Sequence, residues 1–160
     1  MILIYAVACL TAFLVTFLVT HLVRSLAIRW DVMDHPHTEI KTHKAPVPYL
    51  GGLAIFIGFA GALVLLRFST HFPSGTLRSL WGLLLGAAFL AVVGLVDDLK
   101  KPLGLSFQAK FFFQFIAAAI LVMFDIRIRF VQPDWLAILL TMVWVTGISN
   151  AMNLIDIMDG

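Results

Sequence analysis

The sequence predicts an all-α membrane protein, a polytopic helix bundle with about five transmembrane helices. Of its 160 residues, 61% are hydrophobic and only 12% are charged, and the mean hydropathy is +1.01. A water-soluble domain needs more polar surface than this composition supplies. Because a chain in lipid must satisfy its own backbone hydrogen bonds, the spanning segments are expected to be helices.

Five apolar segments reach or approach the length of about 17–25 helical residues that a bilayer requires. They are Ile2–Val23, Leu50–Leu66, Leu80–Val96, Ala109–Phe124 and Trp135–Ile148, of which the last two are short. The first exceeds the roughly 7–15 apolar residues of a signal peptide, so it is expected to be retained. Gly58 and Gly61 are predicted to be close-packing positions. No soluble domain interrupts the segments, which predicts a single transmembrane domain over residues 1–160.

The distribution of charge predicts the orientation of the bundle. The connections after the first, third and fifth segments share one side and, with Lys110 at the start of the fourth segment, contain seven of the eleven Lys and Arg residues. Cytoplasmic loops are enriched in these residues, so this side is predicted to be cytoplasmic. Seven of the nine acidic residues lie on the same side. Polar stretches that are distant in sequence are therefore expected to face one aqueous boundary.

Composition disfavours several classes of function. The net charge is only +2, and no basic run is interleaved with aromatic residues, so no nucleic-acid partner is expected. The single cysteine, Cys9, excludes a disulfide and a cysteine-based zinc site. Four residues with possible zinc ligands lie close together in the sequence: Asp34, His35, His37 and His43. They do not include a suitably spaced pair of histidines on a clear helix, so a zinc site is the weaker interpretation of this stretch.

Two adjacent carboxylates, Asp97 and Asp98, follow the third apolar segment in the stretch VGLVDDLKKP. Neighbouring carboxylates repel each other, and a helix C-terminus disfavours negative charge by about 0.3–1 kcal/mol. Lys100 and Lys101 could offset this cost, which gives the alternative of a charged collar at the membrane boundary. Ionisable residues at membrane depth are candidates for function, whereas those at its edge need a second observation.

That second observation is the stretch NAMNLIDIMDG, in which Asn153, Asp156 and Asp159 are spaced by three residues. This spacing keeps the polar groups near one face of a helix. Carboxylate and carboxamide oxygens suit Mg²⁺. The alternative is a polar helix end capped by Gly160. Because two acidic sets are predicted on one side of the membrane, the functional interpretation is favoured.

Basic residues lie on the same predicted side. The stretch DHPHTEIKTHKAPVPYLGG, from Asp34 to Gly52, contains Lys41 and Lys44, which could bind phosphate as point charges. Lys110 and Gln114 lie one turn apart at the start of the fourth segment. A lysine at this position usually extends to the interface, but here it would also lie near the acidic residues.

These stretches, in this order, resemble the polyprenyl-phosphate N-acetylhexosamine-1-phosphate transferases (glycosyltransferase family 4). The resemblance is carried by DHPHTEIKTHKAPVPYLGG, GLVDDLKKPLGLSFQAKFFFQ and NAMNLIDIMDG. The family includes undecaprenyl-phosphate GlcNAc-1-phosphate transferases and the phospho-N-acetylmuramoyl-pentapeptide transferase of peptidoglycan synthesis. The resemblance implies transfer of a sugar phosphate from a UDP-amino sugar to a polyprenyl phosphate such as undecaprenyl phosphate, with release of UMP, for cell-wall or surface-polysaccharide biosynthesis. The Asp34–Gly52 stretch favours UDP-GlcNAc as the donor, and UDP-MurNAc-pentapeptide stays open as the alternative.

The resemblance also implies roles for individual residues. Asp97 and Asp98 match the family's paired aspartates and are the expected catalytic residues, which bind or deprotonate the lipid phosphate. Asp156 and Asp159 are the expected ligands of Mg²⁺, or of Mn²⁺ in its place. The residues expected to bind substrate are Lys41, His43, Lys110, Gln114 and Asn153.

The chain departs from the family in two residues and in length. Ile157 replaces a glycine of the last motif, and Ile40 replaces an arginine. Family members are longer, so the chain is expected to be the N-terminal half of a larger transferase. Its expected location is the bacterial inner (plasma) membrane, with the active face in the cytoplasm. A homodimer is also allowed. A non-enzymatic divalent-cation carrier and an inactive half-protein stay open as alternatives.

Overall fold

The computed structural model describes residues 2–34, 46–69, 75–101 and 103–157, and within them it contains five α-helices. Their bounds are α1 Ile2–Arg29, α2 Gly51–Ser69, α3 Thr76–Leu99, α4 Phe107–Met123 and α5 Asp134–Ile157. Two short strands, β1 Met33–Asp34 and β2 Val47–Pro48, pair antiparallel with Met33 opposite Pro48. The predicted all-α helical architecture is confirmed.

The lengths and compositions of the helices identify a multi-pass membrane protein. Four of them, α1, α2, α3 and α5, are long and apolar enough to cross a bilayer. The remaining helix, α4, has 17 residues, which is the lower limit of the about 17–25 helical residues that a bilayer requires. At about 1.5 Å per residue, the 28 residues of α1 extend roughly 42 Å, beyond the ~30 Å hydrocarbon core. Arg24 and Arg29 indicate that its C-terminal end reaches the headgroups.

Two helices continue beyond the apolar segments that the sequence predicts. The third segment is predicted as Leu80–Val96, whereas α3 runs from Thr76 to Leu99 and so includes both members of the aspartate pair. The fifth is predicted to end at Ile148, whereas α5 continues to Ile157. Hydropathy reports only the part of a helix that lies in hydrocarbon, and the backbone hydrogen bonds persist into the headgroup region.

The chain divides into two compact units. The first unit comprises Met1–Pro73 and Gly94–Pro102. In it, α1 packs against α2, and its core contains Val23, Ala27, Leu50 and Ala54. Alanine residues at this interface allow the two helix backbones to approach closely, which strengthens packing where lipid offers no hydrophobic driving force.

Among the glycines of α2, Gly58 lies closest to α1. A Cβ atom at Gly58 would overlap Thr16 Oγ1 and would lie 2.9 Å from the Ala12 carbonyl oxygen. By contrast, a Cβ atom at Gly61 would lie 3.8 Å from Val15 Cγ1, an ordinary van der Waals distance. The predicted close-packing role is therefore supported at Gly58 and weaker at Gly61.

Gly58→Ala is expected to destabilise the first unit by about 1–3 kcal/mol, because a backbone oxygen obstructs the added methyl group. Gly61→Ala is the matched control and is expected to be neutral or stabilising, since alanine favours helix. Thermal unfolding in detergent, followed by circular dichroism, measures both effects. Equal unfolding temperatures for the two variants would contradict the close approach at Gly58.

The second unit comprises Ser74–Val93 and Leu103–Gly160. In it, α4 packs against α5, and Gly82 and Gly86 of α3 lie against Phe124 and Leu121. The start of α4 is capped by Ser106, whose Oγ accepts a hydrogen bond from the Ala109 N–H at 3.2 Å. A serine cap of this kind satisfies one of the free N–H groups that begin a helix.

Charged and polar side chains fix the end of α4 and its connection to α5. Arg78 donates to the Met123 carbonyl oxygen at 3.1 Å, which satisfies a free carbonyl in the last turn of α4. Arg127 pairs with Asp125 and with Asp134, each at 3.2 Å. The buried Thr141 hydroxyl accepts a 2.9 Å hydrogen bond from the Ile128 N–H and so ties the connection to α5.

Candidate active site

The paired aspartates occupy the last turn of α3, in the first unit. Both Asp97 and Asp98 are half-buried. The chain then turns tightly, because the Lys100 N–H donates to the Asp97 carbonyl oxygen at 3.2 Å and the Lys101 N–H donates to that of Asp98 at 3.4 Å. This turn directs the chain back over the helix end, so that Lys101 lies beside the side chain of Asp98.

Both oxygens of the Asp98 carboxylate are held. Lys101 Nζ lies 3.0 Å from Oδ1, and the Leu50 N–H donates to Oδ2 at 3.3 Å. The side chains of Asp98 and Lys101 are only 23% and 28% exposed. Partial burial reduces screening by water and strengthens both interactions. The ammonium and the N–H together offset the unfavourable position of a carboxylate at a helix C-terminus.

The residue that donates to Asp98 has an unusual backbone. Leu50 has a φ of 74°, in the left-handed region that leucine rarely adopts, and it is only 5% exposed. It packs with Val23, Ala27 and Ala54 in the core of the first unit. Because this packing holds Leu50 in a strained conformation, its N–H has a fixed direction.

Tyr49 completes the group. The Lys101 ammonium lies 3.6 Å from the centroid of the Tyr49 ring, a cation–π arrangement. The Tyr49 N–H donates to the Val32 carbonyl oxygen at 3.2 Å, next to the pair of β1 and β2. We call Tyr49, Leu50, Asp98 and Lys101 the Asp98 clamp. The structure thus brings the aspartate pair together with the end of the polar stretch Asp34–Gly52.

The other predicted site residues are distributed over the rest of the chain. Lys110, Gln114 and Asn153 belong to the second unit, where Lys110 and Asn153 are half-buried. Gln114 is 8% exposed, and in the described part of the chain its Oε1 atom is buried without a hydrogen-bond partner. Three predicted positions have side chains outside the described residues: Lys41, His43 and Asp159. Asp156 lies in the last turn of α5, and its side chain also lies outside them.

The predicted metal site consists of oxygen donors from the end of α5 and the residues that follow it. Carboxylate and carboxamide oxygens at Asn153, Asp156 and Asp159 are of the class that Mg²⁺ prefers, so the donor set fits. Among residues 2–34, 46–69, 75–101 and 103–157, no group of three His, Cys, Asp or Glu side chains is placed to hold a metal ion. Asp98 already has a cation, Lys101, at one carboxylate oxygen.

A family model described as glycosyl transferase family 4 matches residues 80–160, which include the aspartate pair and the whole of α4 and α5. The chain belongs to glycosyl transferase family 4. The resemblance expected from the three sequence stretches is therefore confirmed.

Individual members of glycosyl transferase family 4 align with most of the chain. The probable undecaprenyl-phosphate N-acetylglucosaminyl 1-phosphate transferase of Bacillus subtilis is 31% identical over 165 residues, which cover 98% of this chain and 42% of that protein. The decaprenyl-phosphate N-acetylglucosaminephosphotransferase of Mycobacterium tuberculosis is 33% identical, covering 94% and 40%. A phospho-N-acetylmuramoyl-pentapeptide-transferase of Desulfotalea psychrophila is 32% identical, covering 79% and 38%.

The chain spans about two fifths of the length of these relatives. No solved structure matches it.

The sequence predicts the aspartate pair of this family member, but it does not predict the residues that hold it. Lys101 lies three residues after Asp98, and this helical spacing is a recognised signal for an ion pair. Tyr49 and Leu50 carry no local signal, because their contacts join parts of the chain about fifty residues apart. The positive φ of Leu50 is also unexpected, since glycine or asparagine usually occupies that region.

Proposed function

We propose that the protein acts in the transfer of GlcNAc-1-phosphate from UDP-GlcNAc to a polyprenyl phosphate such as undecaprenyl phosphate. Membership of glycosyl transferase family 4 carries this proposal. Two of the three relatives described above have GlcNAc in their names, including the one that aligns with 98% of the chain. A role in the synthesis of cell-wall or surface polysaccharide follows from this reaction.

In the proposed reaction, an oxygen of the lipid phosphate attacks the phosphorus atom that is linked to the sugar. The bond from this phosphorus to the UMP oxygen breaks, UMP leaves, and a lipid-linked pyrophosphoryl sugar forms. Phosphoryl transfer depends on positioning the reactants and on balancing charge over the phosphate oxygens. One substrate is a lipid and the other is soluble in water, so the reacting groups meet at the membrane boundary.

We assign Asp97 and Asp98 to the lipid phosphate. The second pKa of a phosphate monoester is about 6, so this group is largely ionised at neutral pH and needs little help in losing a proton. Positioning is therefore the more demanding task. The contacts of Asp98 with Lys101 and the Leu50 N–H support this role, because a carboxylate fixed at both oxygens keeps a defined orientation.

The remaining predicted site residues receive matching roles in the proposal. Asp156 and Asp159 would hold Mg²⁺, or Mn²⁺ in its place, which when bound neutralises charge on the diphosphate of the donor. Asn153 supplies a carboxamide oxygen or N–H beside them. Lys41, His43 and Lys110 supply positive charge for phosphate groups, and Gln114 supplies an amide one turn after Lys110.

We place the reacting face on the cytoplasmic side of the bacterial plasma membrane. The excess of Lys and Arg on the predicted inner side supports this orientation. Arg24 and Arg29 at the C-terminal end of α1 are consistent with it. We also propose that this chain forms the N-terminal part of a longer transferase. A homodimer is compatible with this proposal.

The alternative class is a carrier of divalent cations. Carriers bind their ions near the middle of the bilayer, between interrupted helices. Asp97 and Asp98 instead lie in the last turn of a continuous 24-residue helix. Their position at the end of α3 favours chemistry at the interface over transport.

The test uses the intact gene product in detergent. It is supplied with undecaprenyl phosphate as the acceptor and radiolabelled UDP-GlcNAc as the donor. We expect equal amounts of UMP and labelled lipid, with loss of both when EDTA is added. If transfer occurs only with UDP-MurNAc-pentapeptide, the donor is that nucleotide sugar and not UDP-GlcNAc. Uptake of Mn²⁺ by vesicles that contain the protein, without sugar transfer, would favour the carrier. Recovery of transfer only with a co-expressed C-terminal half would identify an inactive half-protein.

A further inference from the structure

The Asp98 clamp contains a residue that the proposed mechanism does not use. The Tyr49 ring lies 3.6 Å from the Lys101 ammonium, and this ammonium pairs with Oδ1 of Asp98. The ring, the ammonium and the carboxylate thus form a chain of three groups. The other carboxylate oxygen is held separately by the Leu50 N–H.

We propose that Tyr49 is a positioning residue for the Asp98 carboxylate and acts through Lys101. This inference rests on the proposed function, because it assigns Tyr49 to the same site. The aromatic ring holds the ammonium, and the ammonium then holds Oδ1. Tyr49 itself touches neither the substrate nor the reacting atoms in this proposal.

The need for the ring follows from the properties of lysine. Its ammonium is a compact charge on a flexible four-carbon chain, so an ion pair alone restricts its position weakly. The Lys101 side chain is 28% exposed, which leaves water able to compete for it. An aromatic face attracts the ammonium without cancelling its charge, whereas a second carboxylate would neutralise it. The ring therefore confines Lys101 and leaves its full charge for Asp98.

The ring can serve this purpose because Tyr49 is itself anchored. Its N–H donates to the Val32 carbonyl oxygen at 3.2 Å, and the next residue, Leu50, is buried in the core of the first unit. Both oxygens of the Asp98 carboxylate are thus held by adjacent residues. Leu50 holds Oδ2 directly through its N–H, and Tyr49 holds Oδ1 through Lys101. A reacting group must be held within about 0.5 Å of its productive position, and two fixed points meet this requirement better than one.

The test compares Tyr49→Leu with Tyr49→Phe in the intact gene product. Leucine removes the aromatic face, and we expect kcat for sugar-phosphate transfer to fall about three- to tenfold, with KM for UDP-GlcNAc changed by less than about twofold. Phenylalanine keeps the face and is expected to stay within about twofold of wild type. Tyr5→Leu, at the exposed tyrosine of α1, is the matched control and should leave kcat unchanged.

A double-mutant cycle tests the route through Lys101. In a Lys101→Met background, Tyr49→Leu should cause no further loss of kcat, because the group through which it acts is absent. An equal loss in both backgrounds overturns the proposal. So does a loss in Tyr49→Phe as large as that in Tyr49→Leu, which would assign the effect to the hydroxyl group.

A measurement without turnover separates this inference from the proposed function. Hydrogen exchange of the Leu50 amide, which donates to Asp98, should be about three- to tenfold faster in Tyr49→Leu than in Tyr49→Phe. Faster exchange in a protein that transfers no sugar phosphate rejects the proposed function and keeps the clamp. Equal exchange in the two variants, with equal kcat, rejects the role of Tyr49 even where transfer is established.

Discussion

Asp98→Asn is expected to lower kcat for sugar-phosphate transfer at least about 100-fold, the usual scale for loss of one preorganised electrostatic group. Asparagine has the shape of aspartate and keeps an oxygen that can accept from the Leu50 N–H. It lacks the negative charge that pairs with Lys101 at 3.0 Å. The variant should therefore fold normally, so that the loss reports the charge of Asp98 rather than the integrity of the first unit.

The measurement requires turnover at saturating substrate and a thermal unfolding curve for the same preparation. Asp125→Asn is the matched control, because Asp125 also pairs with cations, Arg127 and Arg129, and lies in the second unit. It also has a φ of 62°, which asparagine tolerates. We expect Asp125→Asn to retain wild-type kcat. Wild-type turnover by Asp98→Asn would remove Asp98 from the mechanism.

Gly82→Ala is expected to destabilise the second unit by about 1–3 kcal/mol. A Cβ atom at Gly82 would overlap the Cβ atom of Phe124 and would lie 2.8 Å from its Cγ atom. The Cβ atom of Phe124 is fixed by the backbone, so a change of rotamer cannot remove this overlap, and the backbone must move instead. The residue immediately before the glycine, Trp81, supplies a fluorescence signal for unfolding.

Gly147→Ala is the control for this substitution. Gly147 lies within a helix of the same unit, α5, and no atom of the described residues lies within 4 Å of the position of its added Cβ atom. Both substitutions gain the same helix propensity, so the difference between their free energies of unfolding isolates the steric effect. We expect Gly147→Ala to be neutral or slightly stabilising. If both variants unfold at the same temperature, the packing at Gly82 is looser than described.

The sequence predicts the helices well because, in a membrane, hydropathy and backbone hydrogen bonding act in the same direction. It predicts their ends less well, as the extension of α5 to Ile157 illustrates, because polar residues continue a helix once it has formed. For the candidate site, the order of the motifs identifies Asp98, but the roles of the predicted residues stay predictions. The contact between Tyr49 and Lys101 depends on how α1, α2 and the end of α3 pack, which no local pattern records.

The hydrogen bond from Leu50 to Asp98 has a consequence for biogenesis. The chain is synthesised from its N-terminus, so α1 and α2 are complete before the end of α3 leaves the ribosome. Until then, the Leu50 amide sits beside a nearly finished helical hairpin and lacks its acceptor. The hydrogen bond can therefore form only after the end of α3 has been synthesised, and it then joins that end to the residue that precedes α2.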